Sequence, residues 1–338
     1  MTKPAVLRRW RIAMSKSVIR PKRLRAGDRA IIVSPSSTIA DRADQAERAR
    51  ANLETALGIK IDFADNTFAQ DYYSAGTTDE RRADLMAAFT DPEVKAVFFS
   101  TGGATAVDLV DRLDYDTITE HPKIVAGLSD SSTLLNAITA KTGLLTFHGF
   151  ELMDFANHDM SYTTQNLKQI WFDGWSGDYS PNPNWRDLEG DPTTYTGWRE
   201  IKPGRATGTA VGGNSDAFMQ LESTPYRPPL DGAILFLESY RLQKRHIQAL
   251  LATLKLKGAF DSIRGLIIGY CLGSDAPGTG NDRDIADIIL ETTAGHTFPV
   301  IQIGDIGHQV ENLILPIGAT IEMDSSSTSL ALSGPAVQ

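Results

Sequence analysis

The sequence predicts an α/β fold built on a mostly parallel β-sheet flanked by helices. Short apolar runs of strand length alternate with segments in which apolar residues recur at helical spacing, and glycines stand at many of the joints. The alternation is interrupted once, after about residue 157, and returns from Gly208. This pattern is typical of parallel strands connected through helices. The 338 residues are enough for two ordinary domains or one large domain.

The first half of the chain supplies a regular series of elements. Thr77 and Glu80 form a capping-box pattern, which marks the start of a helix, and Gly58 suits the end of another. The predicted elements are a strand over 29–35, a helix over 41–57, a strand over 59–63, a helix from 77 to 89, a strand over 94–99, a helix near 104–113 and a strand over 124–126.

The second half returns to the same alternation. Gly212-Gly213-Asn214 is expected to open a helix. The predicted elements are that helix through Leu221, a strand over 233–237 ending at Glu238, a helix over 246–254, a strand over 265–270, a helix over 282–293 and a strand over 299–303.

A segment rich in tryptophan separates the two halves. It contains four of the five tryptophans, Trp171, Trp175, Trp185 and Trp198, among many Asn, Asp, Pro and Gly residues. Long loops with little regular structure are usually functional or disordered, and the tryptophans argue against disorder. The indoles either pin an extended connector to the core or form an aromatic wall over a substrate. In the second case Trp185 and Trp198 are substrate-binding candidates.

Composition restricts the class of protein. The formal net charge of -9 argues against nucleic acid as a partner, because phosphate binding needs a basic face. No apolar run approaches the length of a membrane span, and the single Cys271 cannot form an intramolecular disulfide. These features predict a cytoplasmic protein. The first residues are basic without an apolar signal core, so we expect an N-terminal extension over 1–23, with Met14 an alternative start and a transit peptide the other interpretation.

Ser129 is the first candidate for chemistry. The apolar run Val125-Ala126-Gly127-Leu128 stops at Ser129, and helical spacing begins directly after it. A sharp strand-to-helix turn places a serine hydroxyl beside free backbone N–H groups, which can hold the oxyanion that forms when serine attacks a carbonyl. The alternative is an ordinary N-cap, since serine is preferred there. The turn lacks the second glycine of the G-x-S-x-G elbow.

Glu238 and His308 also follow strand-like runs. Functional groups collect at the carboxyl ends of parallel strands, and serine needs a histidine base oriented by a carboxylate. The alternative interpretation of each residue alone is structural: Glu238 is an acid at a helix start or on the surface, and His308 is a histidine in a loop. Asp305 is a rival carboxylate three residues before His308.

Gly102-Gly103 lies between a predicted strand and helix. Its backbone N–H groups could form half of an oxyanion hole, and the amide after Ser129 could form the other half. The evidence for a phosphate-binding loop is weak, because no Walker lysine follows the two glycines. The six histidines show no HExxH or HxH spacing, which predicts no catalytic metal.

Taken together, the chain from about residue 21 resembles the LD-carboxypeptidase and microcin C immunity family of serine peptidases. The stretches that carry the resemblance are Leu24-Arg25-Ala26-Gly27-Asp28, Ser34-Pro35-Ser36, Tyr73-Ser74-Ala75-Gly76, Glu80-Arg81-Arg82, Asp91-Pro92, Gly102-Gly103, Leu113-Asp114-Tyr115-Asp116, Pro122-Lys123, Gly127-Leu128-Ser129-Asp130, Leu237-Glu238, Gly307-His308 and Leu315-Pro316-Ile317-Gly318.

The resemblance implies a two-domain serine peptidase with a triad of Ser129, Glu238 and His308. It implies oxyanion donors from the backbone of Gly103 and Asp130, with Gly102 beside the substrate, and no cofactor. It also implies a homodimer and a site in the cleft between the domains. The expected limits are 24–160 for the N-terminal domain with the nucleophile, 161–205 for the connector, and 206–338 for a smaller C-terminal α/β domain.

Three departures from the family pattern concern substrate shape more than catalysis. Thr101 stands where an arginine usually precedes the double glycine, Ala104 follows where an aromatic is common, and Leu128 replaces an aromatic before the serine. Backbone donors survive such changes.

Two activities within the family compete. One removes the terminal D-alanine from a murein tetrapeptide; the other cuts an aminoacyl-nucleotide conjugate of the microcin type. The tryptophan-rich connector favours the second, because a nucleobase stacks on an aromatic face. The alternative from another class is a two-domain protein that binds a nucleotide or sugar without hydrolysis.

Overall fold

The computed structural model describes residues 17–276 and 283–338. Its helices are α1 (Ala43–Leu57), α2 (Thr78–Thr90), α3 (Tyr115–Glu120), α4 (Ser131–Thr142), α5 (Ser161–Lys168), α6 (Ser215–Gln220), α7 (Lys244–Leu256), α8 (Ala259–Ser262) and α9 (Ile285–Thr292). Its strands are β1 (Arg29–Val33), β2 (Lys60–Phe63), β3 (Val94–Phe99), β4 (Ile124–Gly127), β5 (Thr146–His148), β6 (Gly177–Asp178), β7 (Arg199–Lys202), β8 (Arg205–Asn214), β9 (Ala233–Ser239), β10 (Gly265–Cys271), β11 (Val300–Gln302), β12 (Leu315–Ile317), β13 (Thr320–Asp324) and β14 (Ser329–Leu332).

The first sheet has the strand order β12-β5-β4-β3-β1-β2. Strands β1 to β5 pair in parallel, and β12 closes one edge by pairing antiparallel with β5. Every residue of β4 and β5 is buried, as expected for strands covered on both faces. The parallel pairing brings the carboxyl ends of β3 and β4 to one edge of the sheet, where the double glycine and the serine follow.

The second sheet has the order β6-β14-β13-β8-β9-β10-β11-β7. Its centre, β8 to β11, is parallel, and antiparallel strands extend it on both sides. The predicted α/β class is therefore confirmed, and the structure builds it from two sheets. One buried apolar cluster runs between the sheets, from Phe98 and Phe147 in the first to Phe236 and Ile267 in the second.

Most predicted elements lie where the local pattern placed them, including the capping box of Thr77 and Glu80 that starts α2. The helix predicted near 104–113 is wrong, because only a short 3₁₀ turn, Ala106–Leu109, forms there. The N–H groups of Thr105 and Ala106 are bound instead by the Ser36 hydroxyl and the Asp130 carboxylate. A helix leaves such donors free at its start, so these bonds alone do not exclude one; the hydrogen bonds that follow, from Asp108 N to the Thr105 carbonyl and from Val110 N to the Val107 carbonyl, span three residues and not four.

The connector is more regular than its composition suggested. It begins with α5 and a π-helical turn, Gln169–Asp173, and contributes β6 and β7 to the second sheet. Trp171 is fully buried and stacks on Phe98 at 5.2 Å between ring centroids.

Strand β12 connects the two halves of the molecule. It follows the His308 segment in the chain yet pairs with β5 of the first sheet, and the next strand, β13, returns to the second. The last residue also contacts the N-terminal part, since Gln338 N–H donates to Pro21 and its carbonyl accepts from Arg23.

Some predictions fall on residues outside the described ranges. These are the first 16 residues of the basic extension, with Met14, and Asp282 at the predicted start of α9. The described helix begins after Asp284, whose side chain caps it. Among residues 17–276 and 283–338, no helix combines the length and apolar character needed to cross a membrane.

Candidate active site

Ser129 occupies a strained turn between β4 and α4. Its φ of 63° lies in the left-handed region, which non-glycine residues rarely adopt. The residue that precedes α4 is Asp130, and no side chain caps this helix. The Ser129 hydroxyl makes no hydrogen bond within the described chain, so the N-cap interpretation does not describe it. The turn instead presents a half-buried, unbonded hydroxyl.

Gly102 lies directly against this serine. A Cβ atom at Gly102 would stand 2.5 Å from Ser129 Cβ, 2.6 Å from its Oγ and 3.4 Å from the Asp130 nitrogen. The double-glycine loop therefore passes within contact distance of the Ser129 turn. The Gly103 and Asp130 N–H groups donate to no acceptor in the part of the chain that the structure describes.

Asp130 holds the two loops together. Its Oδ2 accepts hydrogen bonds from Ser36 Oγ at 2.6 Å and from Ala106 N at 2.8 Å. The Ser36 hydroxyl in turn accepts from Thr105 N, and Ser37 N donates to the Gly102 carbonyl. This network fixes the glycine loop relative to the serine turn.

Glu238 and His308 form a buried pair from segments 70 residues apart. Glu238 Oε2 lies 2.6 Å from His308 Nδ1, and the two residues are 0% and 8% exposed. The other ring nitrogen, Nε2, is buried without a hydrogen-bond partner in the described structure. The Tyr240 ring packs beside the imidazole at 4.9 Å between centroids.

The pair shifts both pKa values. Burial acts to lower the pKa of His308, but the charge and hydrogen bond of Glu238 outweigh it and raise that pKa above its usual range. Burial acts to raise the pKa of Glu238, and the charge and hydrogen bond of His308 lower it below its usual range. Each group thus favours the charged form of the other.

Contacts at the α4 N-terminus bring the serine turn and the histidine pair to the same interface. Asn214, at the end of β8, donates its N–H to Ser132 Oγ and stands opposite Glu238 in the strand register. No hydrogen bond joins the Ser129 hydroxyl to His308 among the described residues. Ser129 follows β4 of the first sheet and His308 follows β11 of the second, and neither the hydroxyl nor Nε2 is hydrogen-bonded among the described residues.

The rival carboxylate and the two tryptophans make different contacts. Asp305 Oδ2 accepts from Trp198 Nε1 at 2.5 Å and from Asn182 N at 3.1 Å, and burial raises its pKa to about 6. Trp185 Nε1 donates to the Gly304 carbonyl, and its ring packs on Tyr195. Both indole N–H groups therefore anchor the connector to the segment before His308.

Three acidic or basic residues near the pair carry no motif that singled them out from the sequence. Glu151 accepts a hydrogen bond from Thr101 at 2.8 Å, and burial raises its pKa and that of Asp154. Both carboxylates act electrostatically on His308. His148, at the end of β5, is fully buried. His148 is the last residue of β5, and Glu151 and Asp154 follow it by three and six residues, so the end of a strand, the signal that picked out Glu238, points only to this segment.

Metal ligation has no support among the described residues, where no group of three His, Cys, Asp or Glu side chains could hold an ion. Cys271 is buried, and burial raises the pKa of its thiol well above the usual range. A thiol in that environment is a poor nucleophile.

A serine on a strained strand-to-helix turn beside glycine N–H groups, together with a buried histidine–carboxylate pair, is typical of serine-type hydrolases. Family models match both halves of the chain: the LD-carboxypeptidase N-terminal domain over residues 31–149 and the LD-carboxypeptidase C-terminal domain over 207–323. The chain belongs to the LD-carboxypeptidase family of serine peptidases, and it is an enzyme of the carboxypeptidase class.

Named relatives represent both activities of this family. The "Probable murein peptide carboxypeptidase" of Bacillus subtilis is 30% identical over 318 residues, which cover 93% of this chain and 94% of the relative. The microcin C7 self-immunity protein MccF of Escherichia coli is 28% identical over 298 residues, covering 81% and 84%. The solved structure of MccF with aspartyl sulfamoyl adenosine matches with a TM-score of 0.86 at 25% identity, over 95% of this chain and 100% of MccF.

Proposed function

We propose that this enzyme hydrolyses an amide bond near the C-terminal end of a small peptide-like substrate, with Ser129, His308 and Glu238 as its catalytic triad. The observation that carries the proposal is the buried Glu238–His308 hydrogen bond of 2.6 Å, which leaves Nε2 unbonded. A histidine held in this way has one nitrogen fixed by a carboxylate and the other available as a base.

The reaction follows from these groups. His308 Nε2 accepts the Ser129 hydroxyl proton while Oγ attacks the substrate carbonyl, and the carbonyl oxygen becomes an oxyanion. The N–H groups of Gly103 and Asp130 donate to that oxyanion. When the C–N bond breaks, the imidazolium gives its proton to the leaving amine. A water molecule then attacks the acyl-enzyme by the same route, which releases the acid and restores Ser129.

We propose an aminoacyl-nucleotide conjugate as the substrate, with a murein tetrapeptide as the competing class. Aromatic surface beside the proposed base supports the first: Tyr240 packs on His308, and the tryptophan-rich connector reaches the same segment through the hydrogen bond from Leu188 N to the Gln309 carbonyl. Aromatic faces of this kind stack on nucleobases. The likeness to MccF, solved with aspartyl sulfamoyl adenosine, agrees with this choice.

Parallel assays of the purified protein on aspartyl sulfamoyl adenosine and on a murein tetrapeptide test the proposal. We expect hydrolysis of the first with the higher kcat/KM, and loss of turnover by about 10⁴ to 10⁶ in Ser129→Ala if the triad acts as a unit. Ser131→Ala is the matched control, since it removes a neighbouring hydroxyl from the same turn, and we expect wild-type turnover.

Three results would contradict parts of the proposal. Undiminished hydrolysis by Ser129→Ala would rule out the serine mechanism. A higher kcat/KM on the tetrapeptide would replace the substrate class and keep the triad. Nucleotide binding without hydrolysis of either substrate, unchanged by Ser129→Ala and His308→Ala, would favour a binding protein.

The proposal includes the organisation expected from the sequence: domains over 24–160 and 206–338 joined by the connector 161–205, a homodimer, and a cytoplasmic location. Light scattering after size exclusion measures the oligomeric state, and a monomeric mass at micromolar concentration would contradict the homodimer. Cell fractionation measures the location.

A further inference from the structure

A second histidine lies beside the proposed catalytic acid. His148 ends β5, pairs in register with Gly127 of β4 and Leu315 of β12, and is 0% exposed. Neither of its ring nitrogens has a hydrogen-bond partner within the described residues. Buried polar side-chain atoms are nearly always hydrogen-bonded, so two unpartnered nitrogens on one ring call for an explanation.

One carboxylate oxygen of Glu238 is also incompletely hydrogen-bonded. Its Oε2 binds His308, and the side-chain amide of Asn214 approaches the same carboxylate and helps to lower its pKa, but its buried Oε1 makes no hydrogen bond of normal geometry in the described chain. An ionised carboxylate that loses water on burial needs donors at both oxygens to offset the cost.

His148, from the first sheet, packs against the face of the second sheet that carries Glu238. The His148 ring packs edge-on against Phe236 at 5.2 Å between centroids, and Phe236 stands two residues before Glu238 on β9. Residues two apart on a strand point to the same face. A Cβ atom at Gly213 would come within 3.0 Å of His148 Cδ2, and the next residue, Asn214, stands opposite Glu238 in the register.

The charge state of His148 suits a donor to a carboxylate. Burial lowers the pKa of His148 to about 4, although the nearby Glu238 acts in the opposite direction. The ring is therefore neutral near pH 7 and carries one N–H donor. A neutral His148 can donate a hydrogen bond to Glu238 without adding a second positive charge beside the His308 imidazolium.

We propose that His148 is a positioning residue that donates its imidazole N–H to Glu238 Oε1 and so keeps Oε2 on His308 Nδ1. The inference rests on the proposed function, in which His308 is the base. The ring and the carboxylate lie outside direct hydrogen-bond geometry, so the contact forms through one bridging water or after rotation of the ring about its Cβ–Cγ bond. The bond disperses the charge on Glu238, and the pKa of His308 depends on that charge.

Replacement of His148 by phenylalanine keeps an aromatic ring and removes the donor. We expect His148→Phe to lower kcat/KM by about 10-fold to 100-fold, the loss typical of a hydrogen bond to a charged group. The acid limb of the pH profile moves to higher pH, because an unshared charge on Glu238 stabilises the His308 imidazolium. His148→Gln restores a donor and is expected to return the limb toward the wild-type position.

Phe147→Leu is the structural control from the same strand. It reduces packing in the core of the first sheet, so we expect a lower melting temperature and an unchanged pH profile. A wild-type pH profile in His148→Phe, at any melting temperature, would overturn the inference.

A measurement without substrate separates this inference from the proposed function. In protein with ¹⁵N-labelled histidine, NMR titration is expected to show a higher pKa for His308 in His148→Phe than in the wild type, and a neutral His148 with one fixed tautomer. An unchanged His308 titration overturns the inference even if Ser129 is the nucleophile. Conversely, a shifted titration together with an active Ser129→Ala variant overturns the triad and leaves the His148 contact standing. If His148→Phe does not fold, the tautomer of His148 is measured in the wild-type protein. Rapid averaging between the two tautomers would then contradict the inference.

Discussion

At the scale of single residues, the candidate site contains polar side-chain atoms that have no hydrogen-bond partner. The Ser129 hydroxyl and His308 Nε2 make no hydrogen bond in the described structure, and their neighbours Asp130 and Glu238 are each held through one carboxylate oxygen. A folded interior usually satisfies such groups. Their unbonded state at the ends of two sheets is consistent with groups reserved for a substrate.

The pH dependence of kcat/KM tests the role of His308. Only a neutral imidazole can accept the Ser129 proton, and Glu238 raises the pKa of His308, so we expect activity to rise with pH through a midpoint above about 6.5. Glu238→Gln removes the negative charge while burial remains, which moves the midpoint to lower pH. A wild-type midpoint at or below about pH 6 would contradict this electrostatic assignment.

Gly102→Ala tests the close approach of the glycine loop. The added methyl would stand 2.5 Å from Ser129 Cβ and 2.6 Å from Oγ, so the nucleophile must move. Because a displacement of about 1 Å can cost about 100-fold in rate, we expect at least that loss in kcat with little change in folding. Gly334→Ala, where an added Cβ meets nothing within 4 Å, is the matched control. Wild-type turnover by Gly102→Ala would show that the loop does not constrain the serine.

At the scale of elements, the connector binds to the segment that carries His308. Trp185 and Trp198 donate to Gly304 and Asp305, and Leu188 N donates to the Gln309 carbonyl. These bonds support the interpretation of the tryptophans as pins of an extended connector. The half-buried faces of the same two rings leave their role in substrate binding a prediction.

Asp305→Asn distinguishes the role of Asp305, the rival carboxylate, from that of Glu238. The pKa of Asp305 is about 6 when folded and about 3.9 when unfolded, so the folded state binds more protons between these values. The ionised carboxylate therefore destabilises the protein above about pH 6, and this cost disappears below about pH 4. We expect Asp305→Asn to raise the melting temperature by about 2–4 °C at pH 8 and to leave it unchanged at pH 4.

Activity gives the second readout for this variant. Asp305 binds Trp198 and not the imidazole, so Asp305→Asn is expected to retain turnover that Glu238→Gln loses. A greater loss in Asp305→Asn than in Glu238→Gln would make Asp305 the triad acid.

At the scale of the whole molecule, the two sheets share a core and exchange a strand. Strand β12 joins the first sheet after the chain has built most of the second, and the apolar cluster between the sheets is continuous. We expect a single calorimetric unfolding transition whose calorimetric and van't Hoff enthalpies agree. Ile317 is the fully buried last residue of β12. We expect Ile317→Ala to lower the free energy of unfolding by about 2–4 kcal/mol and to shift the whole transition. Two peaks, only one of which moves, would contradict the coupling.

Local sequence patterns were sufficient to predict the α/β class, most strands and helices, and the serine turn. These features depend on neighbours in the chain: apolar periodicity, the Thr77–Glu80 capping box, and the stop of an apolar run at Ser129. The resemblance in ordered motifs also identified the family, which the family models confirm over both halves.

Which side chains come into contact depends on how distant segments pack in the folded chain. The tertiary structure paired His308 with a carboxylate 70 residues away and not with the one three residues away, since strand order and burial fix that choice. It also replaced the helix predicted near 104–113 with a short turn, placed β12 in the first sheet, and packed His148 on Phe236, two residues before Glu238 on β9. Each of these outcomes depends on contacts between distant segments, which local spacing does not encode.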